Sequence, residues 1–147
     1  MRPEARAVLL VLGLHASPGA AQEHVSCAEC AVAAVETMAS SKDGYTTYRL
    51  NVALGGVATN IYTIFGDSTD VMSIPAAFQV AAPFGADMGG ANPAFFAFNA
   101  DAEFDSWLTI GPTDGSNSGG LATIGIPMGE WTEAAGLTLT DAAVFWM

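Results

Sequence analysis

A chain of 147 residues with 51% hydrophobic content holds enough apolar material for one packed domain, which excludes general disorder. Its 15 acids against 4 bases give a formal net charge of -11, and a surface so poor in Lys and Arg cannot neutralise phosphates, which excludes nucleic acid as a partner. The same acidity suits divalent cations, basic partners or solubility in a high-salt habitat.

The N-terminus carries Arg2 and Arg6, an apolar run from Ala7 to Leu14, and small residues at Gly19, Ala20 and Ala21. That is the three-part layout of a secretory signal peptide, cut after Ala21. The apolar run is too short for a membrane span, which needs about 20 residues. The expectation is a secreted, extracellular protein: residues 1–21 a signal peptide, 22–44 an N-terminal segment, and 45–147 a β domain. Removing Arg2, Glu4 and Arg6 leaves 14 acids and 2 bases, Lys42 and Arg49.

Cys27 and Cys30 follow the cut. Ser26 and Glu29 have the spacing of a capping box, and Val32, Val35 and Met38 recur every three residues, so a short helix is expected from Cys27 to a stop at Gly44. In an oxidising compartment Cys27 and Cys30 are expected to form a local disulfide or to bond another chain. A redox role would need βαβ units, which nothing downstream suggests.

From Thr46 the period changes to two. Tyr48, Leu50, Val52 and Leu54 alternate with Thr47, Arg49, Asn51 and Ala53, as on a half-buried strand. Gly55 and Gly56 predict a tight turn, with Val57 to Phe65 returning as the partner strand. Short strands are expected at Val71–Ile74, which Pro75 stops, and at Leu137–Leu139. The turn-rich stretch 113–120 predicts a second hairpin, joining Ile110 to Leu121–Ile126. The chain closes on the apolar run Ala142–Met147, expected either in a clipped module or in a last strand buried at mid-sheet. These strands together predict an all-β fold, an antiparallel β-sandwich of jelly-roll or immunoglobulin-like kind with one short N-terminal helix. A small closed barrel is the alternative.

Chemistry concentrates in Phe95–Gly111, FFAFNADAEFDSWLTIG. Read as a strand, it turns Ala102, Phe104, Ser106, Leu108 and Ile110 inward, and Asp101, Glu103, Asp105, Trp107 and Thr109 outward. Neighbouring carboxylates would then stand about 7 Å apart. Like charges so close invite a hard cation, and calcium, with six to eight oxygen ligands, is the expected one. Asn99, Asp101 and Glu103 begin like an EF-hand loop, but Phe104 and Ile110 occupy the places of its glycine and last ligand. Asp114, beside Ser116 and Asn117, is a second candidate metal ligand, or a turn residue bonded to its own backbone. An outward Trp107 could stack on a sugar ring as a ligand-binding residue.

Catalysis has little to work with: beyond the leader the only histidine is His24, and no nucleophile elbow, P-loop or dinucleotide fingerprint is present. The leading expectation is a secreted, non-enzymatic β-sandwich module for binding or extracellular structure, with a carbohydrate or extracellular protein as partner and calcium as stabiliser. The alternative is a secreted glycoside hydrolase working through paired carboxylates of the acidic cluster.

Overall fold

The computed structural model describes residues 6–8, 30–38, 40, 42–56, 58–112, 114–116 and 119–147. Among them the regular structure is strands and short 3-10 turns, with no α-helix. Eight strands form three small sheets: β1 (Arg6–Val8), β2 (Ala31–Met38) and β3 (Tyr45–Leu54) in the order β1-β3-β2; β4 (Thr63–Gly66), β6 (Leu121–Ile124) and β8 (Ala142–Trp146) in the order β4-β8-β6; and β5 (Met72–Ile74) with β7 (Leu137–Leu139). All pairings are antiparallel except β1 with β3, where Arg6 lies beside Tyr45. The expectation of an all-β chain therefore holds at the level of small, mostly antiparallel sheets. The rest of the segment read as a leader, and the Ser26–Glu29 box with Cys27, lie outside the described residues.

The expected N-terminal helix is replaced by β2. Its residues pair along the whole of β3, from Ala31 with Leu54 to Met38 with Thr47. The three-residue recurrence of Val32, Val35 and Met38 fits a helix, but β-branched Val32, Val35 and Thr37 also suit a strand, and a ten-residue partner decides between them. Gly44, expected to stop a helix, instead takes the positive φ of the β2–β3 turn, where the Tyr45 N–H donates to the Lys42 carbonyl at 3.2 Å.

The pairing of β2 also overturns the hairpin expected at Gly55–Gly56. β3 is paired along Thr47–Leu54 by β2, the strand preceding it, and β1 takes Tyr45–Thr47 on the other edge. Gly55 closes the sheet instead, donating to the Cys30 carbonyl at 3.0 Å. The chain then runs irregularly to β4, which joins β8, with Thr63 beside Phe145. The second expected hairpin fails likewise, since β6 pairs with β8 and not with the segment ending at Ile110.

The strands at 72–74 and 137–139 form where expected and pair with each other, Ile74 beside Leu137. The apolar end of the chain is a central strand: β8 has β4 on one side and β6 on the other. Its inward side, with Val144, Leu121 and Ile110, makes one core cluster, against which Ile61, Ile64 and Ile126 pack. Ile74, Ala77, Leu108, Trp131 and Leu137 make a second, which Ile126 also touches.

Candidate functional site

The acidic stretch is not a strand. Asn99 accepts the Asp101 N–H through its side chain at 3.1 Å, and its carbonyl accepts the Ala102 N–H at 3.1 Å, which winds Ala100–Phe104 into a 3-10 turn. This side-chain-to-backbone bond competes directly with sheet pairing. Period-two parity therefore fails across the segment. Ala102 and Leu108 are buried as expected, but Asp105, Trp107 and Thr109, expected to face out, are buried too. After the turn the backbone is extended, and it is anchored by Leu108, whose N–H donates to the Asp87 carbonyl and whose own carbonyl accepts the Gly89 N–H.

The four expected metal ligands are dispersed. Asp101 is exposed and forms an ion pair with Lys42 at 2.6 Å. Glu103 is exposed on the same turn. Asp105 is buried, and Asp114 caps its own turn by accepting the Ser116 N–H at 2.8 Å. The Ser116 side-chain bond, followed by that backbone bond, lowers the Asp114 pKa, as expected for a turn carboxylate. Among the described residues no three His, Cys, Asp or Glu side chains come together as a group that could hold a metal ion. Trp107 is enclosed and not a platform: a Cβ at Gly90, whose φ is +97°, would stand 3.0 Å from its indole ring. Cys30 is not a free thiol, and Cys27 lies outside the described residues. No described helix is long and apolar enough to cross a membrane.

Asp105 is the centre of the arrangement that does exist. With 1% of its surface exposed, it accepts the Val80 N–H on Oδ1 at 2.8 Å and the Ala86 N–H on Oδ2 at 2.6 Å. One carboxylate thus fastens both ends of the loop 80–86 to the extended segment 105–110. Gly85 makes this possible, because a Cβ there would collide with the Val80 carbonyl and stand 2.8 Å from Asp105 Oδ2. Burial pushes the Asp105 pKa up to about 6 against the opposing pull of the backbone N–H groups of Ala86, Val80 and Ser106, and the charge of Asp87 adds to the rise. Burial raises the Asp87 pKa as well. Two carboxyls of raised pKa resemble a catalytic pair in outline, but both oxygens of Asp105 are engaged by main-chain donors.

A second cluster joins the β2–β3 sheet to the rest of the molecule. Lys42 Nζ sits 4.3 Å from the centroid of Phe78 and 5.4 Å from that of Tyr45, while it pairs with Asp101. Tyr45 meets Phe78 edge-on at 5.2 Å and its hydroxyl bonds Glu133. Sequence reasoning missed this cluster because its bonded partners are as far as 88 positions apart. The scarcity of bases was the available signal, since each of only four lysines and arginines among 15 acids will find a carboxylate. An exposed ion pair contributes roughly 0.2–1 kcal/mol, and a cation over an aromatic ring about 0.5–1 kcal/mol. Lys42→Ala is therefore expected to lower global stability by about 1 kcal/mol, with a larger local effect: hydrogen exchange should speed up in β2 and β3 and stay unchanged in β8. Equal protection of β2 and β3 in the two proteins would contradict the role given to Lys42.

No protein-family model matches the chain, and comparison with curated proteins and with solved structures finds no match.

Proposed function

We propose that the chain is a secreted, non-enzymatic β module for binding or extracellular structure. The observation that supports this best is the use made of Asp105. Its two oxygens hold the loop 80–86 through main-chain bonds, so the most perturbed carboxyl is occupied in positioning backbone. Asp101, which would complete a carboxylate pair for glycoside hydrolysis, is tied to Lys42. The leader-like arrangement of residues 1–21 supports export, and the scarcity of bases supports a partner other than nucleic acid.

The test is a panel of soluble and insoluble polysaccharides presented to the secreted chain, read for retention and for release of reducing sugar. Retention without release is expected if the partner is a carbohydrate, and neither if it is an extracellular protein. Sugar release that is lost in both Asp105→Asn and Glu103→Gln would overturn the non-enzymatic reading. The dispersal of Asp101, Glu103, Asp105 and Asp114 further leads us to expect the same melting temperature in calcium and in chelator. A rise of several degrees with calcium would restore a metal to the account.

A further inference from the structure

The sheet β4-β8-β6 has two apolar faces: among the described residues one packs into the core, and the other leaves Phe65 and Ile124 exposed and Ala122, Ala143 and Phe145 half-buried. Val144 and Leu121 point into the core. The opposite face is set by register: Phe65 and Ile124 flank Ala143 in one row, and Thr63 and Ala122 flank Phe145 in the next. Phe65 is 64% exposed and Ile124 66% exposed, and none of the six side chains is ionisable although the chain carries 15 acids.

We propose that this face is the contact through which two copies of the chain pair, face to face. The face is complementary to itself. Row one reads large, small, large; row two reads small, large, small. A two-fold axis lying across the strands between the rows sets row one of each copy over row two of the other. Phe65 then faces Thr63 of the second copy, Phe145 faces Ala143, and Ile124 faces Ala122, a large side chain over a small one at every position. Sheets stack about 10 Å apart, which one layer of interdigitated side chains fills. Pairing would supply the second layer that makes a sandwich of this sheet. Six side chains per copy, three of them half-buried already, bury less than the roughly 1,200–2,000 Å² of a stable complex, so the dimer is weak and reversible.

Charge fixes a second property. Each copy carries -11, while the contact itself buries no charge, so association strengthens as salt screens the repulsion between copies. A basic partner docked on the same molecule would behave in the opposite way.

Sedimentation equilibrium of the purified chain over a range of protein and NaCl concentrations tests this. The expected result is a monomer–dimer equilibrium that shifts toward dimer with added NaCl. Phe65→Glu and Ile124→Glu should remain monomeric with unchanged circular dichroism, and Phe98→Ser, at an 80% exposed position off this face, should dimerise like the parent. Should the charged variants fail to fold, a mixture of Thr63→Cys and Phe65→Cys chains provides the second measurement: facing positions of sheets about 10 Å apart are too distant for a disulfide, so a bis-maleimide of about that reach is expected to give a mixed dimer linked through positions 63 and 65. A parent that stays monomeric at high salt, dimers of Phe65→Glu and Ile124→Glu as stable as the parent's, or a 63–65 link that does not form would each overturn the proposal, the first leaving the face to a different protein.

Discussion

Trp131→Ala is expected to lower the unfolding free energy by about 3–5 kcal/mol, the range for deleting a large buried aromatic side chain. Trp131 is 3% exposed in the cluster of Ile74, Ala77, Leu108 and Leu137, and its indole N–H donates to the Pro75 carbonyl at 2.8 Å. Two effects therefore add: the apolar contacts around the ring vanish, and a carbonyl beside the β5 strand loses its donor. Trp131→Phe separates them, since it keeps most of the ring volume and removes only the N–H, and it should fall between the parent and Trp131→Ala. Urea unfolding with an unchanged slope is the measurement. A loss below 1 kcal/mol for Trp131→Ala would mean that this residue does not hold the β5–β7 sheet to Leu108.

Asp105→Ala has the second largest expected effect, a loss of about 2–5 kcal/mol at mildly acid pH, because the N–H groups of Val80 and Ala86 are both left without their acceptor. The pH dependence follows from the raised pKa. The folded protein holds the Asp105 proton up to about 6, while the ordinary carboxyl releases it near 3.8, so between these values the folded state binds more protons. The stabilisation linked to this group is fully present below the ordinary value and is lost as pH rises through about 6. Its full extent is of order 3 kcal/mol. The parent should accordingly be less stable at neutral pH than near pH 4 by the contribution of this carboxyl, and the gap between parent and Asp105→Ala should narrow over the same range. Asp105→Asn, which cannot ionise, should flatten that part of the profile. A gap that widened from acid to neutral pH would show that the backbone donors, and not burial, dominate the charge.

Much of the local structure was legible in the residues. Tyr45–Leu54, Met72–Ile74, Leu137–Leu139 and Ala142–Trp146 are strands where alternation, β-branched residues and stopping prolines put them. The failures in strand pairing have one source, which is that a short segment does not contain its partner. Gly55–Gly56 has the right residues for a hairpin, but the partner β3 takes beside it is the preceding segment, β2. The Ala-rich stretch 31–38 would satisfy a helix as well as a strand, and β3 took it into a sheet. In the acidic stretch the error was local: the Asn99 side chain captured the Asp101 N–H, wound a 3-10 turn, and invalidated the parity that had sent Asp105 and Trp107 outward.

By itself the sequence determined the class of this protein: β-rich from its alternating runs and acidic by its residue counts. These are properties of composition and period, which need no knowledge of distant partners. Tertiary structure alone decided which strands meet, that the last strand lies mid-sheet, and that Asp105 serves a loop 19 to 25 residues earlier in the chain. It also decided that Phe65, Phe145 and Ile124, on three separate strands, share one face of a sheet. The reason is physical: hydrogen-bonded edges and buried carboxyls are satisfied by whichever group the fold brings within 3 Å, and that group is rarely a neighbour in sequence.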